Sequence, residues 1–155
     1  MINLPLQLPS KYVLRQALPF DMWSILFFVV LARLDPNQLR WQQFWVLEHD
    51  SRLVAFGQLR NFECAQELGT LFTKPNCRNQ GLGTIIIQHL ISQATQPLYL
   101  KCVERQLVKF YTKRGFLPVE FEDLPSALQR KFRLSQVRKK YFKGFVVFMK
   151  YQKNI

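Results

Sequence analysis

Acidic residues are scarce in this chain of 155 residues, and none follows Asp123. Lysine and arginine together number 22 against 10 aspartates and glutamates, which gives a formal net charge of +12. Nine of the positive charges lie after Asp123, interleaved with Phe132, Tyr141 and Phe142. This asymmetry predicts either an acidic or nucleic-acid partner for the C-terminal segment, centred on residues 130–143, or a solvated basic face there.

Cysteine and histidine are also few. The 3 cysteines are odd in number, which argues against a disulfide framework. They share no metal-type spacing and the 2 histidines lie far apart, which argues against a zinc site. We therefore expect no metal. Free thiols are typical of a reducing compartment and predict a cytoplasmic protein.

No apolar run reaches the roughly 20 residues that a membrane-spanning helix needs. The most apolar segment, Met22–Leu34, is apolar nearly all round and predicts a buried first helix with no membrane span. A second subunit that covers part of this helix, as in a homodimer, is one alternative.

The chain has no internal repeat, low-complexity tract or Gly/Ser linker, so we expect a single domain over residues 1–155. Apolar runs predict strands over residues 12–17, 44–49, 53–59, 67–73, 98–103 and 145–151, with a short strand from Phe116. Helices are predicted over residues 22–34, 85–94, 106–114 and 124–142, with a weak one over 36–43. This order favours a mixed sheet with helices on both faces.

Glycine is rare, but Gly81 and Gly83 stand together between a predicted strand and a predicted helix, in the run TKPNCRNQGLGT over residues 73–84. Glycines let the backbone pass close to a ligand, and a helix start offers unpaired N–H groups and a positive dipole end. The run therefore predicts a phosphate-binding loop, to which Arg78 can add a charge-assisted bond. A tight strand-to-helix turn without a ligand is the alternative.

Two common phosphate loops are excluded by the spacing. A P-loop requires a lysine directly after its second glycine, and Thr84 stands there instead. A dinucleotide fingerprint requires a third glycine where this chain has Ile86.

Residues 73–83 and a second run, Phe110-Tyr111-Thr112-Lys113-Arg114-Gly115-Phe116, together resemble the GNAT acetyltransferase superfamily. That family carries a V-x-P-x-x-[RQ]-x-x-G-x-[GA] run at the end of its fourth strand and an aromatic-Tyr-x-x-x-Gly-Phe run about thirty residues later. The resemblance covers about residues 67–116. It implies an α/β (α+β) acyl-CoA N-acyltransferase fold, with a central mixed, mostly antiparallel sheet, splayed parallel strands and helices on both faces.

The resemblance also implies acetyl-CoA as co-substrate. Its pantetheine arm would bond to backbone groups of Leu71, Phe72 and Thr73. Its pyrophosphate would be held by backbone N–H groups of seven consecutive residues: Arg78, Asn79, Gln80, Gly81, Leu82, Gly83 and Thr84. The implied activity is transfer of the acetyl group to a primary amine of an unidentified acceptor, by direct attack in a ternary complex.

Two catalytic residues follow from the resemblance. Tyr111 stands where the family places the acid that protonates the leaving thiolate, although a plain aromatic core residue is the alternative. Glu67, six residues before Thr73, stands where some members carry a glutamate base, and a solvated strand-end carboxylate is the alternative. Glu63 is a weaker substitute, and a water chain can replace a base altogether.

The chain departs from the family at two positions near the acid, and one of them is Leu107, four residues before Tyr111, where the family often has alanine. Glu104 stands seven residues before Tyr111, where the family usually has asparagine, so the side-chain contact of that asparagine is in doubt. Two other functions stay open: a basic nucleic-acid or ribosome-associated module, and a coenzyme A-binding regulatory protein without transfer activity.

Overall fold

The computed structural model describes Leu8 and residues 10–153. Within these residues the α-helices are α1 (Met22–Leu31), α2 (Leu82–Gln93), α3 (Leu107–Thr112) and α4 (Ser126–Tyr141). The strands are β1 (Tyr12–Gln16), β2 (Phe44–His49), β3 (Arg52–Phe62), β4 (Ala65–Thr73), β5 (Leu98–Cys102), β6 (Phe116–Val119) and β7 (Val147–Tyr151). The predicted strands and the four main predicted helices are all present.

The strands form a seven-stranded sheet in the order β1-β2-β3-β4-β5-β7-β6. The β1–β2, β2–β3, β5–β7 and β6–β7 ladders are antiparallel. β4 and β5 pair in parallel, with Gln66 opposite Leu98 and Glu67 opposite Tyr99. The sheet is therefore mixed and mostly antiparallel, as predicted.

The chain divides into two compact units. The first unit comprises Met1–Leu59 and Gly69–Gln93, and the second unit comprises Arg60–Leu68 and Ala94–Ile155.

In the first unit, α1 and α2 cover opposite faces of β3. The Phe56 ring lies 5.3 Å from that of Phe72, which in turn stacks on Phe28 of α1 at 4.7 Å. The next residue, Gly57, faces α2, because a Cβ built there would lie 2.5 Å from Cγ2 of Ile86. Side chains alternate along a strand, so the two helices occupy the two faces.

We expect Gly57→Ala to lower the free energy of unfolding by about 1–3 kcal/mol, since the new methyl group would overpack the contact with α2. Besides Ile86, the methyl group would meet Cδ1 of Leu90 at 2.9 Å. Urea unfolding followed by circular dichroism measures the change. Gly144→Ala is the matched control, because its methyl group would meet the side chain of Arg138, which is exposed and can move aside. Equal stability of Gly57→Ala and the unmodified protein would contradict this packing.

The β2–β3 hairpin is closed by Asp50 and Ser51, whose φ angles are 50° and 61°. A two-residue turn with both φ angles positive is of type I′, which matches the right-handed twist of the flanking strands. This turn puts His49 opposite Arg52, and the register then shifts at an irregularity between Leu47 and Glu48.

The weak helix predicted over residues 36–43 is absent, and that prediction is wrong. The segment holds only a short 3-10 turn at Trp41–Gln43. Gln38 has a left-handed φ of 52°, and the buried amide of Gln58 donates to its carbonyl at 2.7 Å. The segment is therefore held by a side chain of β3 in place of helical hydrogen bonds.

The prediction that the first helix is buried is also wrong. Only Ile25 and Val29 of α1 are buried, whereas Trp23 is 82% and Val30 is 77% exposed. None of the helices within the described residues is long and apolar enough to cross a membrane.

In the second unit, α4 lies in the connection between β6 and β7 and packs on one face of the sheet. Its Phe132 stacks on Phe148 of β7 at 5.5 Å. Lys101 of β5 bonds to Ser135 of α4, so its side chain faces α4. Side chains alternate along a strand, so every second residue of β5 counted from Lys101 faces the same way. Cys102 therefore points to the other face, where α3 places Tyr111.

Candidate functional site

The three residues predicted to contact pantetheine close β4 in the first unit. The side chain of Phe72 is committed to the core beside Phe28, while Leu71 and Thr73 are half-buried. After β4, the backbone N–H of Lys74 donates to the carbonyl of Val54 at 2.9 Å. Phe72 can therefore contact a ligand only through its backbone, as the resemblance implies.

The loop after β4 turns sharply before α2. Asn79 and Gly81 have φ angles of 64° and 79°, both in the left-handed region. A Cβ built on Gly81 would meet no atom within 4 Å, so its side of the loop is open. Gly81 is thus required for its φ angle, and the space beside it leaves room for a ligand.

Two side chains tie the loop to the rest of the first unit. The Nε group of Arg78 donates to the carbonyl of Thr73 at 3.2 Å. Tyr12 of β1 donates to the side-chain oxygen of Gln80 at 3.1 Å. The structure therefore brings Arg78 and Thr73, both predicted site residues, into direct contact.

The helix after the loop begins at Leu82, earlier than the predicted start at Ile85. Gly83 and Thr84 consequently belong to its first turn, and the N–H of Ile85 donates to the carbonyl of Gly81 at 3.2 Å. The first N–H groups of an α-helix have no intrahelical acceptor, and they carry the positive end of the dipole. Strand, glycine turn and helix start follow one another as the sequence predicted, and phosphate binding by this loop stays a prediction.

In the second unit, Tyr111 of α3 is 9% exposed and packs edge-on against Phe110 at 5.3 Å and Phe116 at 6.0 Å. Burial raises the pKa of Tyr111 well above its usual value, and the nearby Cys102 and Glu104 raise it further. The hydroxyl is therefore protonated throughout the neutral and mildly alkaline range.

Cys102 and Glu104 form the surroundings of Tyr111 on the side of β5. The thiol of Cys102 donates to the backbone carbonyl of Glu104 at 3.2 Å, and burial raises the pKa of this thiol. The carboxylate of Glu104 accepts from the amide of Gln106 at 2.9 Å. The residue at the usual asparagine position thus adds negative charge near the tyrosine, which favours the protonated phenol.

Glu67 lies inside an ion-pair cluster of the second unit. It is 3% exposed, and its Oε2 atom lies 3.2 Å from Nη1 of Arg60, which is 1% exposed. The same oxygen accepts a bond from the Nζ group of Lys131 on α4. The carboxylate is therefore neutralised by two cations, and it does not match the solvated strand-end alternative. Glu63 is exposed, in the turn between β3 and β4.

Sequence patterns did not reveal the two partners of Glu67. Arg60 lies just beyond the predicted third strand, and Lys131 is separated from Glu67 by 64 residues. The only sequence signal for Lys131 was the excess of positive charge in the last segment. Among the described residues, no group of three His, Cys, Asp or Glu side chains could hold a metal ion.

A protein-family model described as an acetyltransferase (GNAT) domain matches residues 40–118. The chain belongs to the GNAT acetyltransferase family. The match includes the glycine loop and Tyr111, the two features on which the resemblance depended.

Among curated proteins, this GNAT chain is 24% identical over 144 residues to an amino-acid acetyltransferase of Salmonella arizonae. The alignment covers 84% of this chain and 32% of the relative, so the chain spans about a third of that protein's length.

Among solved structures, N-acetylglutamate synthase from Neisseria gonorrhoeae complexed with coenzyme A and L-arginine is 20% identical, with a TM-score of 0.69. That comparison covers 94% of this chain and 34% of the other. The protein Rv2747 from Mycobacterium tuberculosis, in complex with CoA, is 20% identical with a TM-score of 0.71, and the coverage is 92% and 99%. These likenesses confirm the predicted acyl-CoA N-acyltransferase fold.

Proposed function

We propose that this GNAT chain is an acetyl-CoA-dependent N-acetyltransferase that acts on a primary amine by direct attack in a ternary complex. The observation that carries the proposal is the family match over residues 40–118, which includes both the glycine loop and the buried, protonated Tyr111. A tight turn without a ligand after β4 would not explain why the second run of the family, which contains Tyr111, is present as well.

Donor binding is assigned to the first unit. Backbone groups of Leu71, Phe72 and Thr73 would bond to the pantetheine arm. The pyrophosphate would accept bonds from N–H groups over residues 78–84, where the turn at Gly81 is open and α2 begins.

The chemistry assigns an acid to the second unit. The neutral amine attacks the thioester carbonyl, a C–N bond forms, and the tetrahedral intermediate expels the coenzyme A thiolate. Tyr111 donates its proton to that thiolate. The attacking amine gives up one proton to water, and Tyr111 regains a proton from solvent, so the products are an amide and a free thiol.

The surroundings of Glu67 agree less well with its predicted role as the proton acceptor. Glu67 stays a predicted base, but its ion pairs with Arg60 and Lys131 favour a structural role. The carboxylate is 3% exposed, and its Oε2 atom already contacts both cations. Removal of the amine proton through water fits these contacts better.

For the acceptor we propose the amine of an amino acid. The support comes from relatives, since an amino-acid acetyltransferase and an N-acetylglutamate synthase are both similar to this chain. Because the chain spans about a third of each of these proteins, their substrates are carried over here only as a proposal.

A thiol-release assay with acetyl-CoA tests the proposal. The acceptor panel comprises free amino acids, the same amino acids with blocked α-amines, aliphatic amines and basic peptides. We expect thiol release with at least one free amino acid and none with its blocked form. Coenzyme A binding without thiol release on any acceptor would instead identify a non-catalytic regulatory protein.

The outer face of α4 supports a second candidate function, binding of a nucleic acid. It exposes basic side chains throughout, among them Arg130, Arg133 and Lys140. Large apolar side chains stand between them, with Leu134 82% and Tyr141 68% exposed. Positive charge interleaved with an exposed aromatic ring is typical of a surface for single-stranded nucleic acid.

We expect binding to a single-stranded RNA probe to weaken linearly on a plot of log affinity against log salt. Replacing Arg130, Arg133 and Lys140 with glutamine should reduce the slope by about 2, because each phosphate contact contributes about 0.7. Fluorescence anisotropy at several salt concentrations measures the slope. The matched control replaces Arg105, Lys109 and Lys113 with glutamine and should leave it unchanged. An equal effect of both sets of substitutions would mean that the RNA responds to the net charge of the protein and not to the outer face of α4.

Three further predictions stay proposals. The single domain over residues 1–155 and a homodimer are two of them. The third is a cytoplasmic location, which is supported by the free thiols of Cys64, Cys77 and Cys102.

A further inference from the structure

A groove in the first unit is lined by none of the residues assigned to the proposed reaction. It lies between α1, the turn of the β2–β3 hairpin and the residue after β4, and its volume is about 520 Å³. Small-molecule sites have volumes of this order. The groove is therefore large enough for a compact organic ligand.

One side of the groove is aromatic and open to solvent. It is formed by Trp23, Phe27 and Phe28 on one face of α1. Trp23 is 82% and Phe27 is 60% exposed, although such rings are usually covered in a folded protein. Exposed contiguous apolar surface marks a binding site, and flat rings favour a flat apolar partner.

The opposite side of the groove is positively charged. Arg52 begins β3, Lys74 follows β4, and the Nζ atom of Lys74 lies 5.6 Å from the ring centre of Phe28. Among the described residues, none that lines the groove is acidic. The neighbouring acid in the turn, Asp50, lies 3.7 Å from the imidazole of His49. The positive charge of the groove therefore favours an anionic ligand.

We propose that this groove binds a small amphipathic anion. A flat apolar ring system stacks on Trp23 and Phe27, and a single carboxylate or sulfonate pairs with Arg52 and Lys74. A second copy of the chain fits less well. It would bring another protein of net charge +12 against two cations, and the groove offers no acid to offset them.

Anilinonaphthalene sulfonate is a suitable probe, because it joins a flat aromatic body to one anionic group. Phenylnaphthylamine, which has the same rings without the sulfonate, is the neutral counterpart. Titration is followed by fluorescence on the whole chain, with and without saturating coenzyme A. The variants are Trp23→Ala and the double variant Arg52→Gln with Lys74→Gln. Arg33→Gln is the matched control, since this exposed cation follows α1 outside the groove.

We expect one site for the sulfonate, weakened about tenfold or more by the double variant, because charge-assisted bonds are lost. Trp23→Ala should weaken both probes. Arg33→Gln should change neither, and the neutral probe should not respond to the double variant.

Three outcomes would overturn the proposal. The first is an unchanged sulfonate affinity in the double variant. The second is competitive displacement of the probe by coenzyme A, which would make the groove part of the donor site. The third is a dimer in sedimentation that excludes the probe and dissociates on Trp23→Ala. None of these results depends on whether the chain transfers acetyl groups.

Discussion

Replacing Tyr111 with phenylalanine is expected to lower kcat by about 100-fold or more while leaving the KM for acetyl-CoA within a few-fold. General acid catalysis contributes about 10²–10⁴-fold, and the substitution removes only the proton donor. The phenylalanine ring can keep the edge-on contacts with Phe110 and Phe116, so the fold is preserved. Steady-state thiol release with the best acceptor measures both constants.

Tyr99→Phe is the matched control, since it removes a buried phenol of the same unit that stands outside the family's acid position. The two variants should have similar stability and very different turnover. Equal turnover of Tyr111→Phe and the unmodified protein would eliminate Tyr111 as the acid.

The pH dependence follows from the same residue. Because the pKa of Tyr111 is raised, its proton is lost only above the range of an ordinary tyrosine, which is about 10. The rate should therefore rise with pH as the acceptor amine loses its proton and should not fall below about pH 10 through loss of the acid. A decline in kcat at pH 8–9 would contradict this assignment.

Replacing Glu67 with glutamine is expected to lower the free energy of unfolding by about 3–5 kcal/mol. That is the usual cost of removing one partner from a buried ion pair. The change takes an anion away from Arg60 and Lys131, whose side chains are 1% and 11% exposed. Urea unfolding of the two proteins at the same pH measures the difference.

Glu63→Gln is the matched control, because this glutamate is exposed in the β3–β4 turn and its loss should change the stability by less than about 0.5 kcal/mol. The same pair of variants tests the predicted base. If Glu67 is structural, Glu67→Gln assayed well below its unfolding temperature keeps most of its kcat. A loss of 100-fold or more in folded protein would restore Glu67 as the base.

Much of the fold could be predicted because its elements carry local signals. Apolar runs marked the strands, and helical periodicity marked α2, although the helix begins at Leu82 and not at the predicted Ile85. The segment over residues 36–43 lacked such a signal, because Gln58 fixes the carbonyl of Gln38 from a strand 20 residues away. The exposure of α1 was also hidden, since an all-apolar helix looks the same in sequence whether it is covered or not.

The residues of the site also differ in whether a local sequence pattern marks them. The glycine loop and Tyr111 stand in contiguous patterns, so the sequence could propose them as site residues. The partners of Glu67 could not, because Lys131 reaches it from a helix placed only by tertiary packing. The groove beside α1 combines Trp23, Arg52 and Lys74, three residues from separate segments that no spacing rule connects.

The basic residues on the outer face of α4 are potential trypsin sites, so cleavage within this helix can be used to measure its local unfolding. Trypsin cleaves after lysine and arginine but needs an extended backbone, which the sites of a docked helix do not offer. Because Phe132 and Leu128 hold α4 on the sheet, the rate of cleavage within it measures how often that contact opens. Limited digestion would therefore read the local stability of this face directly, and a ligand that binds there should slow the cleavage.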